Sequence, residues 1–163
     1  MGRLFDSISS LLGICSYNSY EGECAIMLEK AAWESDKRNC PDFLPKLIKE
    51  SDGSFTLDQI DLYLQIKEAL NSHKYKVSDI AYGFHKIISL FIKESCIRER
   101  EKTDEKKVCL SGGVFGNRLL IELVIKELKA ENFEVYYNKK VPSGDGGISL
   151  GQAYYKMLKS SER

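Results

Sequence analysis

Three observations predict an α/β fold for this chain. Residues 107–117 have the sequence KVCLSGGVFGN, in which a short apolar run ends at a glycine turn, and apolar residues then recur at helical spacing. A second glycine-rich turn at 142–147 also leads into a helix, predicted over 148–158. Another short strand is predicted at 133–137. Because a helix joins it to the first strand, the two strands should pair in parallel.

Each glycine turn has two interpretations. Glycine carries no Cβ atom, so such a turn leaves backbone N–H groups at a helix N-terminus free for a phosphate or another anion. Short glycine turns are also common as plain connections in α/β folds. The spacing alone leaves both interpretations open.

Two helices are predicted at the beginning of the chain. Residues 2–13 place five apolar side chains on one face, with Asp6 off that face and Gly13 at the end. A polar loop follows, and the second helix is predicted over 21–33. Gly22 in its first turn is unfavourable for a helix, which indicates close approach of a neighbouring backbone or a ligand. The apolar face of the first helix consists of Leu4, Phe5, Ile8, Leu11 and Leu12.

A hairpin and a third helix are predicted next. Two short apolar stretches, 43–48 and 54–57, flank the Asp-Gly pair at 52–53, which is a strong hairpin signal. A capping-box pattern that begins at Thr56 predicts a helix that ends at about Ser72. The apolar residues expected to pack from this helix are Ile60, Leu62, Leu64, Ile66 and Leu70.

The longest helix is predicted from Ser78, a candidate N-cap, to about Arg98. The alternating charges of 93–107 indicate a solvated helix end and a loop. The buried stripe of this helix is predicted to consist of Ile80, Phe84, Ile87, Ile88 and Phe91.

Composition narrows the possible functions. The 163 residues fit one domain over 1–163, and hydrophobic and charged fractions of 43% and 29% are typical of a soluble globular protein. With a formal net charge of +0, the chain lacks the excess of positive charge that is typical of a nucleic-acid binder. No apolar run is long enough to span a membrane, and the N-terminus does not resemble a signal peptide.

The cysteines indicate a reducing, cytoplasmic setting. Five are present, an odd number at wide spacings, and no C-x-x-C pair occurs, which argues against a zinc knuckle. Cys24, Cys96 and Cys109 fall in predicted helices or a buried strand. We interpret them as small core residues rather than nucleophiles.

Several segments together resemble the C-terminal end of the HypF carbamoyltransferase family. They are SGGVFGNRLL at 111–120, VPSGDGGISLGQA at 141–153, the opening GRLFDSISSLLG, the later YEGECA, and Phe84-His85 in the long helix. The resemblance runs through essentially the whole chain and extends, more distantly, to the TsaD threonylcarbamoyltransferases. It implies one lobe of an actin-like or sugar-kinase-like ATPase domain (ribonuclease H-like), with a small mixed sheet and several helices.

The resemblance also implies a function. HypF proteins make carbamoyl-adenylate from carbamoyl phosphate and ATP, and they transfer the carbamoyl group to the C-terminal cysteine of HypE in the maturation of nickel–iron hydrogenases. Nucleotide and a divalent metal, iron or zinc, lie between two lobes, and this chain matches only the second. The expected partners are therefore a HypE-type acceptor and the N-terminal HypF domains, with neither nucleic acid nor membrane, and the chain alone should be inactive.

Six positions match functional positions of the family. The resemblance implies that Gly112 and Gly113 lie against the nucleotide, that Asn117 reaches the adenosine, and that Asp6 lies near the ribose and the acyl-adenylate. Gly22 matches a loop that closes over the nucleoside, although its spacing from Asp6 exceeds that in TsaD. The sixth position is Asp145, which would complete a metal site with two first-lobe histidines. Gly116 departs from the family pattern, because HypF usually has glutamine there.

Simpler roles exist for three of the residues that carry the resemblance. Asp145 could be a helix N-cap, as could Asn117, because carboxylates and amides accept hydrogen bonds from first-turn N–H groups. His85 is interpreted as a core histidine. No residue resembles a general base or a covalent nucleophile, since the attacking thiol would come from the partner. Two other functions stay open, a non-catalytic module that binds adenylate or a partner, and part of an O-carbamoyltransferase.

Overall fold

The structure is a computed structural model that describes residues 2–161. This part of the chain contains six α-helices and four short strands, together with 3₁₀ turns at Gly113–Gly116 and Asp145–Gly147. In chain order the elements are α1 (Gly2–Leu11), α2 (Glu23–Trp33), β1 (Leu47–Lys49), β2 (Phe55–Leu57), α3 (Gln59–Asn71), α4 (Val77–Thr103), β3 (Lys107–Leu110), α5 (Arg118–Ala130), β4 (Glu134–Tyr137) and α6 (Ile148–Ser161).

The strands form the two predicted pairs. β3 and β4 are parallel, with Lys107 opposite Glu134, and α5 connects them, so the βαβ prediction is confirmed. β1 and β2 are antiparallel around the predicted Asp-Gly turn, in which Gly53 has a φ of 85° and the Asp52 carboxylate accepts a hydrogen bond from the Ser54 N–H. A left-handed backbone at this position explains why the turn needs glycine.

The hydrophobic core is organised around α4, which packs against α2, α3 and α5. Its predicted stripe is confirmed, because Ile80, Phe84, Ile87 and Ile88 are buried, and Phe91 is half-buried. The Phe84 ring meets the Phe5 ring of α1 edge to face, with centroids 4.9 Å apart. Burial of these large side chains supplies most of the driving force for packing the helices together.

Both ends of α4 differ from the prediction. The helix begins after Lys76, so Ser78 is not its N-cap, and the Asp79 carboxylate accepts hydrogen bonds from the Ser35 hydroxyl and the Asp36 N–H. It continues through the charged segment to Thr103, because alternating charges are compatible with a solvated helix face. None of the helices described within 2–161 is long and apolar enough to cross a membrane.

The start of α3 also corrects the prediction. Its N-cap is Asp58, whose carboxylate accepts from the Asp61 N–H at 3.0 Å, whereas Thr56 lies in β2 and its hydroxyl donates to Glu50. The helix cannot begin earlier, since β2 occupies the preceding residues. Its buried face consists of Leu62, Ile66 and Ala69, and the predicted core residues Ile60 and Leu64 are exposed.

Cys109 is not the core residue that the sequence predicts. It lies in β3 but is exposed, while the next residue, Leu110, is buried. Successive side chains of a strand point to opposite faces, and α5 packs against only one face of this pair. Cys24 is buried in α2 and Cys96 is half-buried in α4, so both contribute to the core as expected.

Candidate functional site

The first glycine turn joins β3 to α5 through one 3₁₀ turn, Gly113–Gly116, rather than directly. Positions 112 and 113, the first two glycines of this turn, differ in whether the structure requires glycine there. Gly112 has a φ of 97°, a backbone conformation that side chains other than glycine rarely adopt. At Gly113 an added Cβ atom would meet nothing within 4 Å. The backbone therefore requires glycine at position 112, whereas packing within the described chain does not require it at position 113.

The N-terminus of α5 is already capped by side chains. The Asn117 amide oxygen accepts from the Leu120 N–H at 2.8 Å. A Glu29 carboxylate oxygen from α2 accepts from the N–H groups of Arg118 and Leu119, at 2.9 and 3.2 Å. The expectation that these N–H groups are free for a phosphate is therefore wrong. The N-cap interpretation of Asn117 is confirmed, and it leaves the rest of that side chain available for another role.

Glu29 is a residue of this site that the sequence did not single out. Besides the two α5 N–H groups, its carboxylate accepts a long 3.4 Å hydrogen bond from the Trp33 indole N–H. A carboxylate at a helix N-terminus is favoured by the helix dipole. Glu29 thus ties α2 to the start of α5 and fixes the distance between α2 and the first glycine turn.

A cavity of about 470 Å³ lies between α1, α2 and the first glycine turn. Its volume is in the range of small-molecule sites in proteins. The walls are mainly apolar, with a few polar groups, an arrangement that suits a flat heteroaromatic ring. The lining residues include Phe5, Gly22, Ile26, Glu29, Gly113 and Asn117.

Three of the predicted nucleotide residues meet at this cavity. Gly22, Gly113 and Asn117 come from distant parts of the chain and all contribute to its lining. Gly22 is the N-cap of α2 rather than a residue of its first turn, and its φ of 80° explains the choice of glycine. The segment around Gly22 is therefore the neighbour of the first glycine turn, as the matched loop implied.

Asp6 and Gly112 are not lining residues of the cavity, although each is adjacent in the chain to one that is, Phe5 and Gly113. Asp6 follows Phe5, and one of its carboxylate oxygens is buried without a hydrogen-bond partner among the residues that the structure describes. A buried carboxylate oxygen is costly unless some group donates to it. The Gly112 N–H donates to the Ser143 carbonyl at 3.0 Å, which connects the first glycine turn to the second.

The second glycine turn presents Asp145 to solvent. Its side chain is exposed and makes no hydrogen bond or ion pair with residues 2–161, so the N-cap interpretation finds no support. Within those residues there is no group of three or more His, Cys, Asp and Glu side chains that could hold a metal ion. The described residues thus do not fit a complete metal site, and Asp145 is at most one ligand of a shared one.

His85 is fully buried in α4, which confirms its interpretation as a core histidine. Its Nδ1 lies 2.8 Å from the Ala81 carbonyl oxygen, and its Nε2 lies 3.0 Å from the Asn117 amide nitrogen. Burial lowers the pKa of His85 to about 4, against a smaller opposing effect of the Ala81 carbonyl. The imidazole is therefore neutral at pH 7, and it connects the core to the cavity.

Cys24, which precedes the cavity-lining Ala25 in α2, is not activated as a nucleophile. The neighbouring Cys15 thiol and burial raise the pKa of Cys24 to about 11. A thiol with so high a pKa stays protonated at neutral pH, and the thiolate is the reactive form. Cys24 is therefore not a candidate for an attacking nucleophile.

The comparisons with known proteins identify the family of this chain. A family model described as "Carbamoyltransferase, Kae1-like Domain, second subdomain" matches residues 1–152. The chain is 32% identical, over 165 residues, to the probable carbamoyltransferase HypF of Methanocaldococcus jannaschii, covering 98% of this chain and 20% of that protein. It is also 30% identical, over 161 residues, to the tRNA N6-adenosine threonylcarbamoyltransferase of Francisella philomiragia, covering 94% of this chain and 45% of that protein.

A solved structure supports the same relationship at the level of the fold. The crystal structure of full-length HypF in its phosphate- and nucleotide-bound form superposes with a TM-score of 0.82 at 37% sequence identity. The match covers 94% of this chain and 19% of that one. The prediction of an α/β lobe of an actin-like ATPase domain is therefore confirmed, and the chain spans about a fifth of the length of its HypF relatives.

Proposed function

Since this chain belongs to the family of second subdomains of Kae1-like carbamoyltransferase domains, we propose that it is the nucleotide- and metal-binding part of a HypF-type carbamoyltransferase. In the proposed reaction, carbamoyl phosphate, water and ATP give carbamoyl-adenylate, phosphate and pyrophosphate. The carbamoyl group then passes to the C-terminal cysteine of a HypE-type protein that matures nickel–iron hydrogenases. The thiolate sulfur bonds to the carbamoyl carbon, the bond from that carbon to the AMP oxygen breaks, and AMP leaves with the electron pair.

The observation that carries this proposal is the cavity between α1, α2 and the first glycine turn. It brings together three residues that match nucleotide positions of the family, Gly22, Gly113 and Asn117. We assign the adenosine to this cavity, with its base between the apolar walls. Asp6 is the chain neighbour of the cavity-lining Phe5, and its buried, unpartnered oxygen is the acceptor that we assign to a ribose hydroxyl.

The phosphates cannot use the first N–H groups of α5, because Glu29 and Asn117 occupy three of them. Gly113 begins the 3₁₀ turn that precedes that helix, and its missing side chain leaves room for a phosphate to approach the backbone closely. A carboxylate at position 29 also disfavours a phosphate directly over this helix end. We therefore place the phosphates on the Gly113 side of the cavity, towards the second glycine turn.

We propose that the first subdomain of the same domain completes the site by covering α6. One face of α6 is apolar and the opposite face carries Gln152, Lys156 and Lys159. The large apolar side chains of α6 are from 46% to 61% exposed, far more than the apolar side chains of a helix that packs against a core. The apolar face includes Leu150, Tyr154 and Leu158, at positions i, i+4 and i+8, whereas Ile148 and Tyr155 border the polar face. Turnover would then require both subdomains.

A second candidate function is a module that binds adenylate or a partner protein without catalysis. Within residues 2–161 there is neither an activated thiol at the cavity nor a metal-binding cluster, which suits this module as well as a transferase whose thiol and histidines come from elsewhere. The two candidates differ once the first subdomain is supplied. Transfer of the carbamoyl group from carbamoyl-adenylate to a cysteine thiol by the joined subdomains, with release of AMP, would support the transferase, and nucleotide binding without transfer would support the module.

Replacing Gly113 with valine should weaken the binding of ATP and AMP. The parent chain should bind these nucleotides weakly, because one wall of the site leaves the phosphates partly in water. A side chain at position 113 should then lower the affinity by roughly ten- to a hundredfold, the usual cost of overfilling a packed contact. The fold should not change, since nothing lies within 4 Å of the added Cβ atom. Isothermal titration calorimetry of the parent chain and of Gly113→Val measures the affinities for ATP and for AMP.

Gly151→Val on α6 is the control, because an added Cβ atom there also meets nothing within 4 Å and the residue lies outside the cavity lining. It should bind nucleotide like the parent chain. Unchanged affinity in Gly113→Val would mean that the first glycine turn is only a connection.

The isolated chain should purify without stoichiometric iron or zinc. A lone exposed carboxylate gives a cation too few ligands to displace its water shell, and tight binding needs several converging donors. Joined to a first subdomain that supplies two histidines, the chain should bind metal, and Asp145→Ala should weaken that binding. Elemental analysis measures the iron and zinc bound per chain. The control is Glu122→Ala, which removes another exposed carboxylate, in α5. One tightly held metal per isolated chain, retained in Asp145→Ala, would contradict the assignment.

A further inference from the structure

A continuous chain of hydrogen bonds connects the core helix α4 to the start of α5. It begins at the Ala81 carbonyl oxygen, 2.8 Å from His85 Nδ1. It continues from His85 Nε2 to the Asn117 amide nitrogen at 3.0 Å. It ends where the Asn117 amide oxygen accepts from the Leu120 N–H at 2.8 Å. Two side chains are thus held between two backbone groups.

The backbone groups determine the polarity of every link. A carbonyl oxygen can only accept and a backbone N–H can only donate, so Ala81 requires a proton on His85 Nδ1, and Leu120 requires the oxygen of Asn117. The amide nitrogen of Asn117 must then face His85, and the neutral imidazole accepts at Nε2. A flipped Asn117 amide would place two donors against each other at Leu120 and two acceptors at His85.

This arrangement leaves one hydrogen-bonding group of Asn117 unused. The amide nitrogen carries two hydrogens, and one of them goes to His85. The other has no partner within residues 2–161, and Asn117 lines the cavity of about 470 Å³ described above. The side chain can therefore offer a ligand a donor, whereas its single oxygen is already engaged by the helix N-terminus.

The surroundings of His85 hold the imidazole in this role. Its ring packs edge to face against Phe5 and Phe84, with centroids 5.5 and 5.7 Å away. The same Phe5 ring lines the cavity. Because the ring is enclosed on these sides and bonded at both nitrogens, it has no room to turn and present Nδ1 to Asn117.

We propose that His85 is a positioning residue of the nucleotide site: it orients the Asn117 amide so that one N–H remains for a hydrogen-bond acceptor of the bound nucleotide. This inference rests on the proposed function, since it concerns the same cavity. Imidazole suits the task because one nitrogen donates to the core and the other accepts from Asn117. We therefore expect the nucleotide atom that meets the Asn117 N–H to be an acceptor, such as an adenine ring nitrogen or a ribose oxygen.

The first part of the test needs no ligand. Nitrogen-15 NMR of the chain reports which imidazole nitrogen of His85 carries the proton, and the Asn117 side-chain amide gives two proton signals. We expect the proton on Nδ1 and one Asn117 amide proton shifted by its bond to His85, with that shift lost in His85→Leu. A proton on Nε2, or Asn117 signals unchanged by His85→Leu, would overturn the proposal.

The second part measures AMP binding by calorimetry in three variants. His85→Leu removes the acceptor for Asn117, and we expect affinity to fall roughly three- to tenfold, the value of one hydrogen bond. His85→Gln retains an acceptor oxygen near the position of Nε2 and should restore most of the affinity. Asn117→Asp keeps an oxygen for Leu120 but has no donor, so it should lose as much as His85→Leu or more.

The outcomes separate this proposal from the function on which it rests. If the parent chain binds AMP and all three variants bind equally well, His85 has no positioning role. If the parent chain does not bind AMP at the highest concentration tested, the proposed function fails, and the NMR signals still decide whether His85 orients Asn117. Should His85→Leu not fold, Asn117→Asp, whose carboxylate is a good N-cap, supplies the binding comparison.

Discussion

Replacing Phe84 with alanine is expected to lower the free energy of unfolding by about 3–5 kcal/mol, the range for removing a buried aromatic side chain. The ring is fully buried at the centre of α4, and it contacts Phe5 and His85 from two directions. The substitution would leave a cavity among helices that cannot collapse independently, since α4 packs against α2, α3 and α5 at once. Urea denaturation followed by circular dichroism measures the loss.

The matched control for Phe84→Ala is Tyr17→Ala. Tyr17 is 81% exposed in the loop after α1, so its removal should change the free energy of unfolding by no more than about 0.5 kcal/mol. A similar loss in the two variants would mean that Phe84 is not in the core. We also expect Phe84→Ala to lower nucleotide affinity, because the Phe84 ring supports both Phe5 and His85 beside the cavity.

Sequence reasoning succeeds in this protein where a signal is local. The Asp-Gly pair determines the β1–β2 hairpin because a left-handed glycine matches the twist of the two strands. The βαβ unit follows from its chain order and from the apolar spacing of α5. Apolar periodicity likewise identifies the buried face of α4, although its alternating charges conceal where the helix ends.

Errors arise where two patterns compete for the same residues. The capping-box pattern at Thr56 and the strand pattern of β2 overlap, and pairing with β1 decides in favour of the strand. Cys109 fits a buried strand by composition, yet exposure depends on whether something covers the second face of the sheet. The sequence of the strand itself carries no information on that point.

The candidate site was predictable only in part. The family resemblance selects Gly22, Gly113 and Asn117, and all three line one cavity. Glu29 was missed because its hydrogen-bond partners lie 89 and 90 residues further along the chain. No local pattern marks a carboxylate that caps a helix so distant in sequence. The connection of His85 to Asn117 spans 32 residues and was invisible for the same reason.

Acidification is expected to destabilise the protein through His85 between pH 6.5 and pH 4. Burial lowers the pKa of His85 from 6.5 to about 4 in the folded chain. As the pH falls through this window, the unfolded chain binds a proton that the folded chain does not, so its free energy drops relative to the folded state. His85 therefore costs no stability above pH 6.5, and stability is lost progressively below it, by at most about 1.4 kcal/mol per pH unit.

Urea denaturation of the parent chain and of His85→Gln at several pH values isolates this contribution. Glutamine does not titrate, so the difference between the two free energies of unfolding removes the effect of the carboxylates, which both proteins share. The difference should be constant above pH 6.5 and should move against the parent by about 3 kcal/mol by pH 4. His73→Asn is the control, because His73 is exposed and asparagine tolerates its positive φ of 53°. It should follow the parent at every pH.

A parent and His85→Gln that lose stability in parallel would show that His85 takes up its proton as readily in the folded chain as in the unfolded one. The neutral imidazole that orients Asn117 would then be absent in mild acid.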